Sequence, residues 1–292
     1  MYAITGITGQ VGGSVARSLL AAGSQVRAVV RDPRKAEDLA AAGAEIAVAD
    51  LGDAAALTTA FTGVEGVFVM IPANFAPAPG FPETRAVLLA LKTALLAAHP
   101  PKVVALSSIG AQHTTGLGLI TQLHILEEEL GDLPVPVAFI RPGWFTENAK
   151  WDIEPARRTG ELQSFLQPLD RAVPMVATAD VGRVTAEALL STWTGRRVVE
   201  LEGPRRYAPD DLAVALGDAL GRKVQAVAVP RAQWTALFEA SGTPVGRTEP
   251  RAEMVDGFNS GWIEFERAGS EPLRGHIALD TVLKEMMESA EA

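Results

Sequence analysis

The chain has 292 residues, 48% of them apolar, and a formal net charge of -9 at pH 7. That length and apolar share suit a globular core, in one large domain or in a larger domain with a smaller lobe, and exclude a disordered chain. The negative charge would repel a nucleic-acid backbone, since the densest basic clusters are only Arg31 to Lys35, Arg157-Arg158 and Arg205-Arg206; the lack of cysteine excludes disulfides, thiolate catalysis and zinc-cysteine sites.

The first residues, Met1-Tyr-Ala-Ile-Thr-Gly6-Ile-Thr-Gly9-Gln-Val-Gly12, read as a short apolar strand running into three glycines spaced three apart. Val11, Val15, Leu19 and Leu20 continue at helical spacing, and Gly23 predicts a left-handed stop. Strand, glycine turn and helix together make a dinucleotide cradle. Gly6 allows the tight turn, Gly9 lets backbone N–H groups approach a pyrophosphate, and Gly12 lets helix and sheet pack closely. The helix N-terminus adds partial positive charge. Gly6, Thr8, Gly9, Gln10, Val11 and Gly12 are therefore the candidate pyrophosphate-binding residues.

Apolar, β-rich runs then alternate with helical patterns. Strands are predicted over 25–31, 45–49, 66–71, 102–107 and 135–140. Asp32-Pro33 reads as the N-cap and first-turn proline of the helix after the second strand, Asp53 caps a helix to Phe61, and helices cover 83–98, behind Pro82, and 117–130. This alternation predicts an α/β fold with a Rossmann-type, doubly wound parallel sheet over residues 1–150. Beyond about residue 145 the pattern loosens into a helix over 180–193, a strand over 197–201, a helix over 209–220, a strand over 223–229 and a mostly helical remainder from 231. These elements are expected to form a smaller α/β lobe for a substrate or partner, residues 151–292, with a diffuse boundary and a chain that can cross back into the sheet.

In an open parallel sheet, ligands sit beyond the carboxyl ends of the strands. The residue closing the second strand, which faces the adenosine ribose, is Arg31. A guanidinium suits a 2′-phosphate, and Lys35 one turn later adds a second charge, so NADP(H) is expected over NAD. Asp32 lies at a distance from the glycines that also fits the acidic residue of an NAD site, while Pro33 after it fits a helix cap. Asp50 and Leu51, closing the third strand, are placed at the adenine.

His99, His113, His124 and His276 show no metal-ligand spacing, so no metal is expected. The longest apolar stretch, 86–98, is interrupted by Lys92 and is too short to span a bilayer. A strand beginning at the first methionine leaves no room for a signal peptide, and a cytoplasmic location is expected.

Thr5-Gly-Ile-Thr-Gly-Gln-Val-Gly12 resembles the glycine turn of the short-chain dehydrogenase superfamily. Val26-Arg-Ala-Val-Val-Arg-Asp-Pro33, Leu106-Ser-Ser-Ile-Gly-Ala111, Arg141-Pro-Gly-Trp-Phe-Thr-Glu-Asn148 and Ala177-Thr-Ala-Asp-Val-Gly-Arg183 resemble more narrowly its atypical NmrA-like branch. Gly203-Pro204 and the helix over 209–220 extend the resemblance over nearly the whole chain. That branch includes a fungal nitrogen regulator, NADPH-sensing proteins, quinone oxidoreductases, triphenylmethane reductases and isoflavone reductase relatives, so it does not choose one activity. The resemblance implies that Met70, Ile71 and Pro72, and Pro142, Gly143, Trp144 and Phe145, flank the nicotinamide. Between them Asn74, Phe75, Trp144 and Phe145 offer flat apolar surface suited to a planar, weakly polar acceptor such as a quinone. Pro77, Pro79 and Pro82 make the intervening loop stiff and extended, a candidate lid.

The chain departs from the superfamily in its chemistry. Typical members reduce carbonyls with a tyrosine and a lysine four residues later on the helix after the fifth strand. Here Ile120 aligns with the tyrosine and His124 with the lysine; the two tyrosines, Tyr2 and Tyr207, lie elsewhere. Ser107 and Ser108 remain at the strand's end to bond a substrate or the cofactor. His124 is the candidate general acid or base of the region, with a hydrogen-bonded or ribose-positioning histidine as the other reading. Glu127-Glu-Glu129 reads as a solvated helix face. The leading expectation is an NADPH-dependent reductase of a quinone-like or other conjugated small-molecule acceptor. A non-catalytic NADP(H)-binding redox sensor acting through a protein partner explains the missing tyrosine equally well, and sugar-nucleotide epimerisation uses the tyrosine that the chain lacks. The oligomeric state stays open.

Overall fold

The computed structural model describes the backbone of residues 1–291 and the side chains of residues 1–288. Strand β1 (Tyr2–Ile4) is buried at every position, as a strand covered on both faces must be. Helix α1 (Gln10–Ala21) turns Val11, Val15 and Leu19 inward. There follow β2 (Val26–Val30), α2 (Glu37–Ala41), β3 (Glu45–Val48), α3 (Ala54–Phe61), β4 (Gly66–Val69), α4 (Pro82–Ala98), β5 (Val103–Leu106), α5 (Thr121–Gly131) and β6 (Val137–Pro142). Both predicted aspartate caps form: Asp53 Oδ1 accepts from Ala55 N and Ala56 N at 3.0 Å, and Asp32 Oδ1 accepts from Arg34 N at 3.1 Å. Behind Asp32 the chain makes a 3-10 turn, Pro33–Ala36, before the short α2, where one helix was expected.

The second half contains β7 (Trp144–Phe145), α6 (Lys150–Thr159), β8 (Glu161–Ser164), β9 (Met175–Val176), α7 (Thr178–Leu190), β10 (Arg196–Glu202), α8 (Pro209–Leu220), β11 (Gln225–Ala228), α9 (Trp234–Ala240), α10 (Glu249–Ser260), β12 (Glu271–Arg274) and α11 (Leu279–Glu291). Eight strands form one sheet in the order β12-β10-β6-β5-β4-β1-β2-β3, with every neighbouring pair parallel. The sheet is therefore the expected doubly wound one. Its strand order reverses between β1 and β4, the switch point where such sheets open a crevice.

Strand alternation divides the core. Ile4, Val104, Ala138 and Ile140 pack with α1 and α7 on one face, and Ala3, Val103, Ala105 and Phe139 pack with α3, α4 and α5 on the other. A third cluster, built around Leu162, Leu216, Trp234, Phe238 and Phe258, draws mostly on the second half of the chain and also takes in Ile109, Leu117 and Ile120.

Two differences from the sequence expectation bear on the site. Strand β6 starts two residues later than expected, after the prolines Pro134 and Pro136, and so carries Arg141 and Pro142 inside the sheet. The remainder from 231 is not simply helical, because β12 joins the sheet beside β10. Its sequence, Glu271-Pro-Leu-Arg274, is exposed at every position and contains a proline, the character of an edge strand without an apolar signature. Beyond residue 150 the chain thus returns to the sheet with α7, β10 and β12. Among the described residues, no helix is long and apolar enough to cross a membrane and no acidic or histidine cluster could hold a metal ion.

Candidate functional site

The glycine turn lies at the carboxyl end of β1, on the switch point. Gly6 has φ +62° and Gly9 N donates to Gly6 O at 2.9 Å, which closes the turn. A Cβ at Gly6 would stand 2.7 Å from Met70 Cγ, and one at Gly12 would stand 2.6 Å from Gly6 C, closer than real contacts allow. Gly9 caps α1 without a side chain, and Thr8, Gly9 and Gln10 are exposed. The first-turn N–H groups therefore stay open to an external anion, and a pyrophosphate fits. Val11 is buried beneath the turn.

Thr5 was not picked out from sequence. It is wholly buried; its Oγ1 donates to Phe68 O at 3.2 Å and accepts from Met70 N at 3.0 Å, tying the ends of β1 and β4 together across the crevice. The only local signal was a hydroxyl at the last position before the glycines.

Just beyond β2, Arg31 and Lys35 are exposed, and among the described residues neither side chain is hydrogen-bonded or ion-paired. Asp32 is committed elsewhere: its carboxylate pairs with Arg34 Nε at 2.9 Å and Nη2 at 2.8 Å besides capping the 3-10 turn. The hydrogen-bonded Arg34 guanidinium holds the Asp32 carboxyl below the usual range. Of the two readings of Asp32, the cap is the one the structure makes. Asp50 Oδ1 accepts from Gly52 N at 2.8 Å in the turn after β3, and Leu51 packs partly buried on the core beside it.

At the other end, a charge network holds the ends of β5 and β6. Glu127 is not on a solvated face: its side chain is 3% exposed, and it accepts from Arg141 Nε and Nη2 and from Arg196 Nη2, each at 2.7 Å. Ser107 Oγ donates to the same carboxylate at 2.6 Å. Only Glu128 and Glu129 of the run look outward. A run of like charges hides this, because burial of Glu127 depends on an arginine fourteen residues away on another element. The Ser107 hydroxyl is thus occupied, whereas the half-buried Ser108 hydroxyl makes no hydrogen bond among the described residues.

The predicted aromatic surface is divided. Trp144 and Phe145 are successive residues of β7 and point opposite ways, Trp144 edge-on to Phe258 at 5.3 Å in the third cluster and Phe145 against the α1 and α7 core. The two rings therefore do not share one packed face, as the expected pocket required. Pro142 and Gly143 are buried; a Cβ at Gly143 would stand 2.6 Å from Pro174 O. Ile71 is buried, Pro72 is exposed, Asn74 is half-buried and Phe75 is 59% exposed.

Ile120, at the tyrosine position, is buried. His124 Nδ1 lies 2.9 Å from Ala111 O, so that nitrogen must donate; Nε2 lies 3.5 Å from Glu128 Oε1. The ring lines a cavity of about 850 Å³ with Glu127, Arg141, Trp193 and Arg196 on the α5 side of β6 and β10. Neither the glycine turn nor residues 70–75 nor 142–145 line that cavity.

A parallel doubly wound sheet with an open glycine turn at its switch point defines a dinucleotide-binding protein of the Rossmann type. Residues 2–260 match the model of the NmrA-like family, and the chain belongs to that family. It is 30% identical over 278 residues to quinone oxidoreductase 2 of Escherichia coli (strain K12), covering 94% of each chain. It is 28% identical over 255 residues to an NAD(P)H azoreductase of Xenophilus azovorans, covering 87% of this chain and 86% of that protein. The crystal structure of the NADPH-dependent quinone oxidoreductase of Escherichia coli complexed with NADPH superposes with a TM-score of 0.81 at 27% identity, over 98% of this chain and 100% of that one.

Proposed function

We propose that the protein is an NADPH-dependent reductase of a quinone-like or other conjugated small-molecule acceptor. One observation carries the reading. An open cradle with unpaired Arg31 and Lys35 beside it stands in a chain that is similar to a quinone oxidoreductase over 94% of its length. The bound cofactor supplies a hydride. The free N–H groups at Gln10, Val11 and Gly12 would hold the pyrophosphate against the turn that Thr8 and Gly9 form, Arg31 and Lys35 would take the 2′-phosphate, and Asp50 and Leu51 would lie toward the adenine. Met70, Ile71 and Pro72 on one side and Pro142, Gly143, Trp144 and Phe145 on the other bound the reacting end.

Ile120 offers no proton where a tyrosine would stand. A conjugated acceptor tolerates this, because the negative charge that develops on its oxygen spreads over the ring. Ser108, with its hydroxyl uncommitted, is positioned by β5 to donate a hydrogen bond to that oxygen; Ser107 instead holds the strand end through Glu127. His124 on α5 takes its other reading, a hydrogen-bonded histidine: Nδ1 is held by Ala111 O, and the ring faces the α5-side cavity, which residues 70–75 and 142–145 do not line.

The test is NADPH consumption across a panel of quinones and azo compounds, together with equilibrium binding of NADPH and NADH. Turnover with several acceptors and tighter binding of NADPH are expected. Tight binding with no turnover across the panel would overturn the reductase reading in favour of sensing.

A further inference from the structure

The segment between β4 and α4, residues 70–81, has no regular structure and carries Asn74 and Phe75. Among the described residues, apart from Met70 N, which donates to Thr5 Oγ1 at the end of β4, its own bonds tie it only to itself and to α4. Ala76 N donates to Asn74 Oδ1 at 3.0 Å, Phe81 N to Ala78 O at 2.9 Å, Ala78 N to Glu83 Oε2 at 3.3 Å and Arg85 Nε to Gly80 O at 3.2 Å. Among the described residues, one hydrogen bond reaches 71–80 from elsewhere: Gln122 Nε2, on α5, donates to Asn74 O at 3.0 Å.

Gln122 is 4% exposed. Its Nε2 also donates to Leu119 O at 3.2 Å, and its Oε1 accepts from the buried Thr84 Oγ1, in the first turn of α4, at 2.9 Å. The orientation of this amide is therefore set, with donors meeting carbonyls and the acceptor meeting a hydroxyl. The stretch before α5 is in turn wedged on α10: Gly118 N donates to Glu253 Oε2 at 3.1 Å, and a Cβ at Gly118 would overlap Pro250 O. Gln122 thus joins an otherwise self-contained loop to a stretch braced by α10.

We propose that Gln122 is the latch that positions Asn74 and Phe75 beside the reacting end, and that it thereby sets which acceptors the site takes. It is a positioning residue, acting through the loop, and its specificity role rests on the reductase reading above. Without the amide, Asn74 O and the Thr84 hydroxyl lose their buried partner, and the loop must be ordered anew each time an acceptor binds.

Gln122→Leu removes all three bonds at similar volume, Gln122→Met does so with an unbranched chain should the leucine variant fail to fold, and Thr84→Val leaves the Asn74 bond in place. Hydrogen exchange of the unliganded protein reads the latch without turnover. Amides within 71–80 should exchange about fivefold faster or more in the Gln122 variants, with the glycine-turn amides unchanged and Thr84→Val close to wild type. At saturating NADPH, KM for quinones should rise about fivefold, the order of preference among small and bulky quinones should change, and NADPH affinity and kcat should hold. Unchanged exchange at 71–80 refutes the latch. Faster exchange with an unchanged acceptor profile refutes the specificity role alone. A wild-type protein that consumes no NADPH refutes the reductase reading and the specificity role together, while the exchange result still decides the latch.

Discussion

Glu127→Gln removes one charge at nearly constant shape, from a carboxylate that accepts four hydrogen bonds of 2.6 to 2.7 Å. The Arg141 guanidinium, 3% exposed, would then keep as charged partners only Glu266 at 3.1 Å, itself 44% exposed, and Glu200 at 3.8 Å. It would also face an amide N–H₂ where an acceptor had been. Breaking a buried pair costs about 3–5 kcal/mol, because the surviving charge stays out of water, and the two remaining carboxylates set the expectation at the low end, about 3 kcal/mol. With a urea slope of about 3 kcal/mol/M for a chain of this size, the unfolding midpoint should fall by about 1 M. The control is Glu128→Gln, whose side chain is 63% exposed and which should shift stability by no more than about 0.5 kcal/mol. Glu127→Leu with Arg141→Met should recover most of the loss, since an apolar pair needs no partner there and Arg196 is 47% exposed. Equal midpoints for Glu127→Gln and Glu128→Gln would show that the network does not hold the strand ends.

Other expectations concern the cofactor, proton supply and pH. Arg31→Glu should cut the preference for NADPH over NADH by about tenfold or more, the worth of a charge-assisted contact to phosphate; an unchanged ratio of the two affinities by titration would remove Arg31 from the 2′-phosphate site. His124→Ala should leave turnover and its pH profile close to wild type, since the ring faces away from residues 70–75 and 142–145; a clear loss of turnover with an altered pH profile would restore the proton-supply role. Asp152 sits on α6 between the buried Ala149 and Ala156, and burial pushes its carboxyl up to about 7 from 3.8. Between those values the folded chain binds more protons than the unfolded one, so stability falls as pH rises and the loss is complete above about pH 7. It amounts to at most about 4 kcal/mol. Asp152→Asn should flatten that slope and be the more stable protein at pH 8, as urea midpoints at pH 5 and pH 8 would read; parallel slopes would sink the assignment.

What was legible in the sequence is what lies within a few residues of its own cause. The strand, Gly6, Gly9, Gly12 and helix α1 stand together because a turn and a helix start are local events, and the Asp32 and Asp53 caps involve residues two or three positions on. The parallel sheet followed from apolar runs alternating with helices. The candidate site was read less completely. Glu127 looked solvated among like charges, and Trp144 and Phe145 looked like one surface until β7 sent them to separate cores. Thr5 and Gln122 gave no sign of their partners across the crevice.

The sequence by itself therefore determined a dinucleotide-binding α/β fold, with an open glycine turn after its first strand and cations at the end of its second. Tertiary structure alone decided that β12 closes the sheet edge, that Glu127 and Arg141 are buried as a pair, and that the loop of Asn74 and Phe75 hangs from Gln122. The reason is physical. A turn or a cap is stabilised by neighbours in the chain, whereas a buried charge, an edge strand or a braced loop is stable only once distant segments supply its partners.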